Sequence, residues 1–117
     1  MPPNLIELQK KVAETELEYY RNLEKNLKYI KKRATEILKD ARVYVFGSVV
    51  EGEYIPGKSD IDVLIVSNEI PKTVSGHVKL KLKILGELGY LSPFEIHFAD
   101  EKLFEHYSRF ATLVEVD

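Results

Sequence analysis

The chain is 117 residues long, carries 17 basic against 19 acidic side chains for a net charge of −2, and contains no cysteine. That length bounds a single domain, the missing cysteines exclude disulfides and thiolate metal sites, and the slight acidity leaves nucleic-acid binding to a local patch, so it is possible but not favoured. No apolar run approaches the ~20 residues of a membrane span, and the N-terminus lacks a signal-peptide core; the expectation is a cytoplasmic protein with no membrane partner.

In chain order, Asn4 with Glu7 three residues on reads as a helix start. From there to about Asp40 the chain has neither Gly nor Pro, and Leu5, Leu8, Val12, Tyr19, Leu23, Leu27, Ile30, Ala34, Ile37 and Ala41 recur in three- and four-residue steps. That periodicity predicts one long helix, on the order of 54 Å at ~1.5 Å per residue. A domain of this size has a radius of gyration near ~13 Å, so the helix overhangs its own core. The overhanging turns carry Leu5, Ile6, Leu8, Val12 and Leu17, and this surface is expected to pair with a second copy or a helical partner protein. Lys25, Lys28, Lys31, Lys32, Arg33 and Lys39 make the second half basic; with Glu24 four residues before Lys28, it reads first as a solvated, ion-paired face.

Arg42 to Phe46 is a β-branched and aromatic run that predicts a strand ending at Gly47, and residues 51–59 form a loop rich in breakers. Ile61 to Val66 predicts a second strand. Residues 77–85 alternate like a strand, yet Leu80, Ile84, Leu85 and Leu88 make a helical stripe between a capping Ser75 and a terminating Gly89, so a helix is expected. Residues 93–98 predict a third strand, Asp100 caps a last helix to about Arg109, and the tail from Leu113 to Val116 is compatible with an edge strand. The expected fold is α/β (α+β): a small mixed sheet with helices on one face and the long N-terminal helix.

Asp60 and Asp62 interrupt an otherwise apolar run. Side chains alternate along a strand, so the two project from one face with Cα atoms roughly 6–7 Å apart, within reach of one hard cation such as Mg²⁺. Two solvent-facing acids paired with lysines would carry the same spacing. On the third strand Glu95 and His97 share the face opposite Phe94, Ile96 and Phe98. If the two strands are neighbours, Glu95 completes a carboxylate trio able to hold two ions. His97 reads first as a half-buried surface histidine and second as a donor behind the carboxylates. Gly47 and Ser48 end the first strand, where a glycine lets backbone N–H groups approach a phosphate and the serine adds a hydroxyl.

Gly-Ser, eleven intervening residues, Asp-hydrophobic-Asp and a later hydrophobic-Glu-hydrophobic strand together resemble the nucleotidyltransferase superfamily that includes DNA polymerase beta, and within it the minimal nucleotidyltransferases of archaea and bacteria. The resemblance implies a catalytic core over residues 35–109 of a single 1–117 domain, preceded by a helical extension over 1–34. It implies that Asp60, Asp62 and Glu95 are catalytic and ligate Mg²⁺ or Mn²⁺, and that Gly47 and Ser48 hold the phosphates of an NTP. The reaction implied moves a nucleoside monophosphate, AMP foremost, from the NTP to a hydroxyl acceptor. Some minimal relatives are antitoxins that modify a HEPN-type helical partner, so the acceptor here is expected to be a partner protein. One position departs from the pattern: many relatives carry an Arg before the glycine matching Gly52, and this chain has Glu51. An acid beside triphosphate repels it, which leaves Lys58 as the nearby cation and raises the alternative of a non-catalytic antitoxin or assembly subunit acting by binding.

Overall fold

The computed structural model describes residues 4–55, 58–89 and 92–117, with the side chains of Val12 and Glu16 outside the description. The chain starts as expected: Asn4 accepts a hydrogen bond from the Glu7 N–H (2.9 Å) and caps α1, Leu5–Arg21. The predicted single helix then divides. α2 runs Leu23–Ile37, and between them Asn22 leaves helical geometry at φ −100°, ψ 25° while its side-chain amide donates to the Glu18 carbonyl. Asparagine side chains compete for backbone partners in this way, which is why a helical run free of Gly and Pro still breaks here. The overhang is real in either form, since the molecule measures 51 × 28 × 24 Å.

The sheet follows from four strands. β1 (Arg42–Phe46) pairs antiparallel with β2 (Ile61–Val66), and β2 pairs parallel with β3 (Phe94–Ala99). The C-terminal tail resolves into β4, Val114–Glu115, an antiparallel edge on β1, giving the order β3-β2-β1-β4. A parallel pair needs a crossover, and α4 (Val74–Leu85) supplies it, so the ambiguous 77–85 stretch is helix. Its cap is Thr73, whose hydroxyl accepts from the Gly76 N–H at 3.0 Å, two residues before the expected Ser75. A short 3₁₀ turn over Gly86–Leu88 precedes Gly89.

One face of the sheet (Val43, Val45, Ile61, Val63, Ile65, Phe94, Ile96) is buried against Leu27, Ile30 and Ala34 of α2 and Leu80, Ile84 and Leu85 of α4. Arg33 donates from Nη2 to the Lys83 carbonyl (2.6 Å), tying the two helices together at the last turn of α4. Tyr19 of α1 meets the Phe94 ring edge-on at 6.1 Å, so the C-terminal turns of α1 belong to this core while Leu5 and Ile6 stand free at 77% and 64% exposure. The second face carries Tyr44, Leu64, Val66 and Ala99, covered by α5 (Glu101–Phe110) through Phe104 and Tyr107. Asp100 caps α5 by accepting from the Leu103 N–H at 2.8 Å. α5 covers only one end of that face. The other end, toward the C-terminus of β1 and the start of β2, stays open.

Candidate active site

The open end is built on the register of three strands. Phe46 lies opposite Asp62, and Asp62 opposite Glu95, so these side chains share the face not filled by α2 and α4. One pair further along β3, His97 faces the same way beside Leu64. The Asp62 and His97 side chains are 25% and 28% exposed, and Glu95 is 48% exposed. His97 Nε2 lies 3.2 Å from Asp62 Oδ1 and 3.8 Å from Glu95 Oε1. Asp62, Glu95 and His97 each offer a ligand atom, and all three atoms lie within 4.8 Å of one another.

Asp60 is placed differently. It stands one residue before β2, exposed, and is not in that cluster. Alternation puts it on the right side of the strand, but the loop end on which it sits leaves its carboxylate in solvent. His97 is half-buried, as expected, and its place two residues after Glu95 on the same strand face brings it to both carboxylates.

Gly47 closes the site from the β1 side. It takes φ +79°, ψ −153°, a region open essentially to glycine alone, and it leads into α3, the single turn Ser48–Glu51. A Cβ at Gly47 would overlap Asp62 Oδ2 and lie 3.2 Å from Asp62 Cγ. Asp62 therefore presents one oxygen to His97 and the other to the backbone at Gly47. Ser48 is half-buried at the start of α3, Glu51 is exposed at its end, and Lys58 is exposed in the loop that follows. Pro56 and Gly57 of that loop lie outside the described residues.

These residues fit a divalent cation with phosphate oxygens: two carboxylates converge, and the facing backbone has no side chain to block the approach. Beyond His97, an open cleft of about 280 Å³ begins between α4 and α5, lined by His77, Val78, Lys81, Ile96, Phe98 and Tyr107.

The sequence profile of the nucleotidyltransferase domain matches residues 23–116, which include every strand and the whole site. The chain belongs to the nucleotidyltransferase family. It is a transferase of the minimal kind, whose substrate is an NTP. A crystal structure of a protein assigned as a nucleotidyltransferase is 37% identical to it, over 77% of this chain and 96% of that one, with a TM-score of 0.54. A second, from Sulfolobus solfataricus and likewise assigned, shares the fold at TM-score 0.61 and 22% identity, over 84% of each chain. No curated protein matches the chain. The matched region begins at the first residue of α2, and α1 lies before it. Among the described residues, no helix is long and apolar enough to cross a membrane.

Proposed function

We propose that this nucleotidyltransferase moves AMP from ATP to a hydroxyl of a partner protein, in the cytoplasm, with Mg²⁺ or Mn²⁺ bound. The observation that carries the reading is the double placement of Asp62, one oxygen in the cluster with Glu95 and His97 and the other against Gly47. Asp60, Asp62 and Glu95 would hold the metal, and Gly47, Ser48 and Lys58 would receive the phosphates. Bound there, the metal would supply charge neutralisation at the phosphates and acidity to the attacking hydroxyl. In the transfer the acceptor oxygen bonds to the α-phosphorus, the bond to the bridging oxygen breaks, and pyrophosphate leaves with that electron pair. The acceptor gives up its hydroxyl proton, and Glu95, the most exposed member of the cluster, would take it.

Two observations favour a second reading, a non-catalytic antitoxin or assembly subunit. Glu51 puts an acid at the end of α3, and Leu5, Ile6 and Leu8 offer an apolar end at 77%, 64% and 44% exposure. Calorimetric titration of Mg²⁺ with ATP, coupled to detection of released pyrophosphate, separates the two. The enzyme reading expects binding that Asp62→Asn and Asp60→Asn remove, and pyrophosphate that depends on both. Equal binding by wild type and variants would end it; binding without turnover, whatever helical protein is added, would favour the second reading.

A further inference from the structure

We propose that His97 is itself a ligand of the bound metal, so that this site favours a divalent transition-metal ion over Mg²⁺. The inference rests on the metal reading above and adds to it the identity of a donor and a preference among ions. Its first support is distance. With metal–ligand bonds of ~2.1–2.2 Å, neighbouring donors around an octahedral ion lie about 3.0–3.1 Å apart. His97 Nε2 and Asp62 Oδ1 are 3.2 Å apart, and Nε2 and Glu95 Oε1 are 3.8 Å apart. The first pair is spaced as two neighbouring donors already, and the second needs a closure of less than 1 Å, well within a rotamer adjustment of a half-exposed glutamate.

The second support is orientation. The imidazole lies against the Phe46 ring at 5.3 Å between centroids, inclined by 57°, and Phe46 is in turn met edge-on by Tyr107 at 5.7 Å. Phe46 is also the cross-strand neighbour of Asp62. A ring packed this way keeps its Nε2 aimed at the two carboxylates. The third support is ligand chemistry. Mg²⁺ takes oxygen donors almost exclusively and gives up its water reluctantly, whereas imidazole nitrogen binds first-row transition ions well. Replacing an oxygen position with a nitrogen therefore shifts the preference away from Mg²⁺. The competing role is a hydrogen bond from His97 to Asp62 alone, which would orient the carboxylate for any ion equally.

Mn²⁺ is the probe that separates the two, with inorganic tripolyphosphate standing for the nucleotide because it brings phosphate oxygens and no nitrogen. Pulsed electron paramagnetic resonance of the wild-type complex should show imidazole nitrogen modulation on Mn²⁺, absent in His97→Gln. Calorimetry should show Mn²⁺ affinity falling roughly tenfold in His97→Gln while Mg²⁺ affinity changes less than about twofold. Bound Mn²⁺ without nitrogen modulation in the wild type, or an equal loss for both ions in the variant, would reduce His97 to a hydrogen-bond donor and overturn the proposal. Ion binding that Asp62→Asn leaves unchanged would remove the metal site itself, a distinct failure. The wild-type spectrum decides the question even if the variant folds poorly.

Discussion

Replacing Gly47 by alanine adds one methyl group and should injure this protein twice. The backbone at φ +79°, ψ −153° costs a residue with a Cβ about 1–3 kcal/mol, because that region is populated almost only by glycine. At roughly 4–6 °C per kcal/mol for a domain near this size, the melting temperature should fall by about 4–18 °C. The second injury is local: the new Cβ would clash with Asp62 Oδ2, so the carboxylate must swing away from the place where it meets His97 and Glu95. Metal–nucleotide affinity should then fall by about tenfold or more, beyond anything the lost stability explains. Gly89 provides the control. It has nearly the same φ of +76° with ψ 158°, but among the described residues nothing lies within 4 Å of where its Cβ would be. Gly89→Ala should therefore melt early and still bind Mn²⁺ and ATP like the wild type. Thermal melts and calorimetry on both variants give the comparison. If Gly47→Ala binds as tightly as Gly89→Ala, the phosphate loop and Asp62 are not coupled, and the reasoning about this corner of the site fails.

Glu51→Arg should tighten ATP binding several-fold in a calorimetric titration, and no change would mean that the end of α3 faces away from the phosphates. The Ser67 hydroxyl and the Asn68 N–H (2.9 Å) both donate to Asp40, and they hold its carboxyl below the ordinary carboxylate range near 3.8. A depressed carboxylate stabilises the fold fully above its unfolded value and loses that contribution as pH falls through the folded one. Wild type should thus melt above Asp40→Asn near neutral pH, with the gap closing below about pH 4; a gap independent of pH would contradict the assignment. Phe104→Ala removes the stack on Tyr44 (5.0 Å) and the face under the Arg42 guanidinium (4.7 Å), and chemical denaturation should show a loss of about 1–2 kcal/mol. Removing residues before Asn22 should abolish self-association seen by light scattering of the full chain at high micromolar concentration. A full-length monomer under those conditions would leave only a hetero-partner for Leu5, Ile6 and Leu8.

The elements that the sequence makes legible are those whose pattern is local. β1 announces itself by a β-branched and aromatic run ending at Gly47, β2 by an apolar β-branched run, and the alternation of Glu95 and His97 opposite Phe94 and Ile96 in β3 places both on one face. The Glu24–Lys28 ion pair forms at 3.1 Å as its four-residue spacing implies. What escapes is decided by tertiary context. Nothing in Asn22 alone says that it ends a helix when Asn26 four residues later does not. The edge strand Val114–Glu115 is too short to show a period and exists because β1 has an open side. Asp60 and Asp62 have the same chemistry in sequence; only the point where β2 begins pairing separates an exposed loop carboxylate from one lodged between Gly47 and His97.

The parallel pairing of β2 with β3 has a kinetic side. β1 and β2 are joined by the single turn of α3 and the loop after it and can zip together early, but Glu95 and His97 reach Asp62 only after the whole α4 crossover has been threaded and docked. Closing so long a connection loses chain entropy before any contact repays it, which places this pairing late on the folding route. Contacts formed after the transition state affect how fast the native protein comes apart far more than how fast it is made. A cation and nucleotide bridging β2 and β3 should accordingly leave the refolding rate nearly unchanged and slow the unfolding rate, so that an occupied site works as a clasp on the finished molecule.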